Sequence, residues 1–220
     1  MNKVHEIEYK GKDIDLVFTD KNYEKIAEET KTFCNIEVLE EIASFRLGGT
    51  VIEIGANTGN SVVYFSNFCD FDRVFAIEPS NESINVLYRN IKMNPAAIDV
   101  AIFEAVMWEA RGICGITQKE ESGKNEITAG EDVEMYTLDQ TVGEHMKHQH
   151  ISLLNISVGV GAAKVLKGAE LTLKGFKPEV FIDCSLGPVP DFPKMKHGEY
   201  KQVGHFKNTD YYHFSYFPFA

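Results

Sequence analysis

Hydrophobic and polar positions alternate with period two near both ends of the chain, and between them the pattern changes to helical spacing or to short unbroken apolar runs. Val4, Ile7 and Tyr9, then Ile14, Leu16 and Phe18, flank Lys10-Gly11-Lys12-Asp13, a pattern that predicts an N-terminal hairpin capping the domain. Helices are predicted over residues 23–30 and 36–45; in the second, Ile36, Leu39, Ile42 and Ala43 share a face. Leu47-Gly48-Gly49 ends that helix and feeds the first apolar run.

That run, Val51-Ile52-Glu53-Ile54, opens into Gly55-Ala56-Asn57-Thr58-Gly59-Asn60, with a helical segment behind it. A second run, Val74-Phe75-Ala76-Ile77, ends in Glu78-Pro79. Two short strands that each end in an acid, with a glycine turn after the first, predict the nucleoside-binding half of a doubly wound sheet. Gly55 and Gly59 tolerate positive φ and would let the backbone approach a ligand closely. Glu78 stands about 20 residues on, the offset at which a carboxylate reaches a ribose diol. A dinucleotide fingerprint needs glycine at the position of Asn57 and Gly or Ala at that of Asn60, so pyrophosphate is disfavoured. Glu53 would repel a phosphate but suits a cation, such as the ammonium of S-adenosylmethionine.

Downstream, residues 81–93 carry Ile84, Leu87, Tyr88 and Ile91 at helical spacing, and a third strand is expected over 100–106. Glu104 and Ala105, at its end, are placed to bracket adenine, and Trp108 either walls the base or belongs to the core. Residues 118–132 are polar and rich in Gly, Glu, Lys and Thr, which predicts an exposed lid-like loop beside the acceptor. Further strands are expected over 133–138, 151–158 and 179–184, with Asp139 as a helix cap and a helix over 162–173. Two alternating segments, 200–206 and 211–217, predict a terminal hairpin at the sheet edge. Its aromatic free face suits an acceptor wall, a sugar platform or a homodimer contact.

With 220 residues, 44% of them hydrophobic, the chain can bury one full α/β core. Residues 1–47 are expected to form a hairpin and helical cap, and 48–220 a Rossmann-like core. The formal charge of −11, from 22 Lys and Arg against 33 Asp and Glu, with no dense basic cluster, argues against a nucleic-acid partner. Cys34, Cys69, Cys114 and Cys184 are scattered without a C-x-x-C pair, as in a reducing, cytoplasmic setting. No run resembles a signal peptide or approaches the ~20 apolar residues of a membrane helix.

Glu53-Ile54-Gly55-Ala56-Asn57-Thr58-Gly59, Glu78-Pro79-Ser80, Tyr136-Thr137-Leu138-Asp139, Val165-Leu166-Lys167-Gly168-Ala169 and Lys177-Pro178-Glu179 occur in that order. Together they resemble the FkbM-type methyltransferases over residues 38–184. The resemblance implies a Rossmann-like class I fold, a seven-stranded, mostly parallel sheet with one reversed strand. It implies S-adenosylmethionine as cofactor, bound at Glu53, Gly55, Ala56, Asn57, Gly59, Asn60, Glu78, Pro79, Ser80, Glu104 and Ala105. O-methylation of a sugar or other small hydroxyl acceptor follows as the activity. Where the family carries Lys-Ile-Asp-Val-Glu-Gly and a further Glu, this chain has Ser157, Gly159 and Ala162 in place of the acids. Slow transfer to simple sugars, independence of divalent metal, or a cofactor-binding protein without efficient transfer would follow from that loss.

Methyl transfer needs an aligned acceptor oxygen and a base for its proton. Asp183 and the group His145, His148 and His150 are candidates by residue type; the histidines equally suit a solvated helix end, and no spacing ties them to the acceptor. No metal ligand set is read from the sequence.

Overall fold

The computed structural model describes residues 3–18, 24–25, 27, 32–96, 98–118 and 125–219. Strands β1 (His5–Tyr9) and β2 (Lys12–Leu16) form the expected N-terminal hairpin in the register Ile7↔Ile14. Ile7, Ile14 and Leu16 are buried, so one hairpin face joins the core. Most of the helix anticipated over 23–30 lies outside the described residues; the next is α1 (Ile36–Ser44), buried through Val38, Leu39 and Ile42.

The central sheet holds β3 (Thr50–Ile54), β4 (Arg73–Ile77), β5 (Asp99–Phe103), β9 (Ile151–Ile156), β10 (Glu179–Asp183), β11 (Gly198–Phe206) and β12 (Tyr211–Pro218), in the order β11-β12-β10-β9-β3-β4-β5. All neighbours from β5 to β10 are parallel, and β12 alone is reversed, paired antiparallel to both β10 and β11. Period-two alternation sends Val51, Val74, Leu153 and Phe181 to one face, against the hairpin, α1, α2 (Asn60–Phe68) and α3 (Asn81–Met93). Ile52, Ile54, Leu154 and Ile182 face the other way, against α4 (Leu138–His145), α5 (Ala162–Lys167) and α6 (Glu170–Phe176).

Four expectations need correction. Residues 125–132 are strand rather than loop: β8 (Asn125–Tyr136) pairs antiparallel with β7 (Gly112–Gln118) and parallel with β6 (Val106–Met107) in a second sheet. This hairpin buries little, and within 125–132 only Ile127 and Ala129 are apolar, so the segment reads as polar loop although 133–136 alternates as expected; residues 119–124 lie outside the described region. The third strand stops at Phe103, and the chain crosses to the small sheet at Val106. The helix over 162–173 breaks at Gly168-Ala169 into two, and Gly168 lies against the Trp108 carbonyl, where a Cβ would overlap it. On α3, Tyr88 is exposed, and Asn90 takes a buried place instead.

Asn90 fastens three segments. Its Oδ1 accepts from Val17 N at 2.8 Å, and its Nδ2 donates to Val17 O at 2.8 Å and to Thr58 O at 2.7 Å. Asn94 repeats the arrangement on the backbone of Asp15. The two amides act as a short substitute strand for the open edge of the hairpin, satisfying backbone groups that burial would otherwise orphan.

Asp139 is a cap, though of a different helix from the one expected. Thr137 caps α4 in a capping box with Gln140, while the Asp139 carboxylate accepts from Leu171 N at 2.9 Å and Thr172 N at 2.7 Å at the start of α6. Asp139→Ala is expected to cost about 1–2 kcal/mol of stability, the scale of a lost cap. Urea unfolding measures this; a change below about 0.5 kcal/mol would show that the cap contributes nothing.

Candidate functional site

The carboxyl ends of β3, β4, β9 and β10 border a cavity of about 920 Å³. Strand parity places Glu53, Glu78, Asn155, Ser157 and Asp183 on one sheet face, the face toward α1 and α2. All five line the cavity.

Glu53 is 2% exposed, the penultimate residue of an entirely buried strand. Asn155, its register partner on β9, donates from Nδ2 to Glu53 Oε2 at 2.7 Å. Burial raises the Glu53 carboxyl to about 8, against the opposing pull of hydrogen bonds from Asn155 and Ser61. Asn155 Oδ1 is buried with no partner among the described residues. A desolvated carboxyl beside an orphaned amide oxygen is a pair of acceptors awaiting a donor, and a cationic one suits both.

Glu78 is held differently. Its two oxygens accept from Asn57 N at 2.8 Å and Ser80 N at 2.9 Å. Burial still raises its carboxyl above the ordinary range, because it outweighs these two backbone donors. A carboxylate accepts about four hydrogen bonds, so two sites remain for a diol.

The glycines serve the frame more than the ligand. A Cβ on Gly55, at φ 84°, would overlap the Ser157 carbonyl oxygen, and one on Gly59, at φ 86°, would overlap the buried Leu87 side chain. The turn is therefore pinned between β9 and α3, and the close approach is to protein.

Of the remaining residues anticipated for the cofactor, Gly55, Ala56, Asn57, Asn60, Pro79 and Ala105 line the cavity. The Asn60 amide is engaged with Cys34, accepting from its N at 3.1 Å and donating to its O at 3.0 Å. Gly59, Ser80 and Glu104 are outside the lining: Ser80 caps α3, accepting from Ser83 N, and Glu104 is exposed. Trp108 lines the cavity beside Gly161, with Lys164 Nζ 5.9 Å from its ring.

His148 and His150 immediately precede β9, at the opposite end of that strand from the cavity, and none of His145, His148 and His150 lines the cavity. His145 packs on Phe103 and the His150 carbonyl accepts from Thr50 N. They are not brought to the site. Among the described residues no group of three His, Cys, Asp or Glu is placed to hold a metal ion, and no helix is long and apolar enough to cross a membrane.

Asn155 and Ile116 were not anticipated; Asn155 was legible in retrospect as the one amide in a strand that is apolar but for Ser152. Ile127 falls in the segment expected beside the acceptor, though on a strand rather than a loop, and Tyr211 on the aromatic terminal hairpin offered as an acceptor wall.

A sheet of this order, with a glycine turn after its first central strand and acids ending the first two, defines a class I methyltransferase. The chain belongs to the FkbM methyltransferase family: residues 53–209 match the Methyltransferase FkbM domain. Solved structures agree at the level of fold. A methyltransferase from Geobacter sulfurreducens matches with a TM-score of 0.51 and 16% identity over 89% of this chain and 86% of that one. A conserved hypothetical protein of Streptococcus pyogenes gives 0.50 and 11%, over 82% and 92%. Methyltransferase FkbM from Methylobacillus flagellatus KT gives 0.49 and 13%; the match covers 78% of this chain and only 44% of that one. No curated protein gives a significant match.

The Glu53 carboxyl supplies stability that is fully present below its unfolded value near 4.5 and is lost as pH rises through about 8. Between pH 6 and 8 the wild type is expected to lose on the order of 2 kcal/mol from this group. Urea midpoints of Glu53→Gln should lack that component. Equal pH slopes in the two proteins would show that Glu53 is ordinarily ionised.

Proposed function

We propose that the protein is an S-adenosylmethionine-dependent O-methyltransferase acting on a small hydroxyl acceptor. One observation carries the cofactor assignment: Glu53 with the orphaned Asn155 Oδ1, and Glu78 with its free acceptor sites, open into one cavity. The first pair suits the ammonium of an amino acid, the second a ribose diol. Ala56, Asn57, Pro79 and Ala105 would wall the nucleoside between them. When bound, the cofactor supplies an electrophilic methyl group. The chain's own part is to hold it, exclude water and orient the acceptor oxygen.

A sugar acceptor presents several hydroxyls, and the cavity wall away from Glu53 and Glu78 is mostly apolar. The same hydroxyl chemistry on a less polar body fits that wall better. A specific feature keeps a second reading alongside: Ser157, Gly159 and Ala162 provide no acid where the family pattern has them. A protein that binds the cofactor without efficient transfer would then result.

Calorimetry with S-adenosylhomocysteine tests the cofactor assignment. Glu78→Ala is expected to weaken binding by about 1.5–3 kcal/mol, and NAD is expected to bind more weakly than S-adenosylhomocysteine. Because the ammonium favours ionised Glu53, binding at pH 7 should release a proton, seen as a dependence of the heat on buffer ionisation enthalpy. Tighter binding of NAD, or unchanged affinity of Glu78→Ala, would overturn the assignment.

A further inference from the structure

We propose that the methyl acceptor is an alcohol or phenol carried on an apolar body, and that Asp183, Ser157 and Tyr211 together receive its hydroxyl. This rests on the cofactor assignment above and extends it to the other half of the cavity.

Three neighbouring strands end side by side. The register Ile156↔Ile182 sets Ser157 next to Asp183, and Asp183 pairs directly with Tyr211 on the reversed strand. Ser157 Oγ and Tyr211 Oη share a hydrogen bond. Asp183 is 7% exposed, and its Oδ1 accepts from Ser185 N at 2.8 Å. All three line the same cavity as Glu53 and Glu78 and lie on the same sheet face. The row begins two residues after Asn155 at the end of β9 and extends across β10 to β12, so a group held there lies next to a ligand's amino-acid end.

Around this row the wall turns apolar. Leu39 comes from α1, Ile116 and Ile127 from the β7–β8 hairpin, and Val160 and Leu186 from the turns after β9 and β10. Val160 is 75% exposed, Leu186 48% and Ile127 41%. Three large aliphatic side chains exposed at one cavity mouth call for an apolar body to cover them. A free sugar would leave several hydroxyls facing these side chains without partners, each a desolvated polar group. An acceptor with a single hydroxyl has that group satisfied by the row.

The proton balance follows from the same geometry. As the acceptor oxygen forms its bond to the methyl carbon, the sulfonium C–S bond breaks and its electron pair stays on sulfur. The hydroxyl proton passes to the Asp183 carboxylate and from there to water. Ser157 and Tyr211 orient the oxygen and are positioning residues.

The test uses the whole chain with S-adenosylhomocysteine for binding and S-adenosylmethionine for turnover, and 2-naphthol and glucose as probes. The S-adenosylhomocysteine-loaded protein should bind 2-naphthol at least about tenfold more tightly than glucose, and Leu186→Glu should weaken the naphthol by a similar factor. Asp183→Asn keeps the shape of the site; it should retain S-adenosylhomocysteine affinity within about twofold while kcat for 2-naphthol falls at least ~100-fold, with KM changed far less. Ser157→Ala should raise KM more than it lowers kcat. Preference for glucose, no binding of 2-naphthol, or an Asp183→Asn variant with wild-type kcat would overturn the proposal while leaving the cofactor assignment standing. Absence of S-adenosylhomocysteine binding to the wild type would overturn both.

Discussion

A carboxyl buried in a parallel sheet is the constraint on which the site depends. Glu53 occupies a position that an apolar residue would fill with gain in stability, and its β9 neighbour is an amide that satisfies one of its oxygens. The desolvation is offset because burial shifts the carboxyl toward its neutral form and Asn155 donates to it. β3 is paired on both sides, and Gly55 is packed against the Ser157 carbonyl, so the backbone that carries the carboxyl is fixed in the sheet. Such a group is stable when neutral and ready to ionise when a cation arrives. The frame thus gives up stability at neutral pH in exchange for a ligand-dependent charge.

The sheet's single reversal has an equally direct chemical effect. Because β12 runs against its neighbours, the residue that begins it, Tyr211, lies at the same edge as the residues that end β9 and β10. Ser157, Asp183 and Tyr211 are thereby gathered from positions 54 residues apart at the extremes, across three strands. With all strands parallel, the start of the last strand would have fallen at the opposite end of the sheet, near the histidines that precede β9.

What the sequence made legible follows from how local each signal is. Acid-terminated apolar runs and a glycine turn are contained in a few consecutive residues, so Glu53, Asn57 and Glu78 could be read together from the sequence, and all three line one cavity. The terminal hairpins were legible for the same reason, since period-two alternation spans only their own strands. The β7–β8 hairpin was legible only in part: its 133–136 stretch alternates, but over 125–132 only Ile127 and Ala129 are apolar, and polar composition reads as loop. Asn90 was hidden among its helix's expected apolar stripe. Its burial depends on two backbone segments, around Val17 and Thr58, that are distant in sequence. Asp139 shows the intermediate case, where residue type announced a cap but only the packing of α6 on α4 showed which helix receives it.

Asn90 also links motions that topology would leave separate. Its amide joins the chain after the N-terminal hairpin to the Thr58 carbonyl within the glycine turn. Lifting the hairpin away would strip partners from the amide, and the turn would lose a tether at the same moment. The two regions are therefore expected to open together in amide exchange, although 41 residues separate Val17 from Thr58. A ligand that tightens the turn would slow exchange in the hairpin as well, which makes the first strands of the chain a remote gauge of whether the pocket is filled.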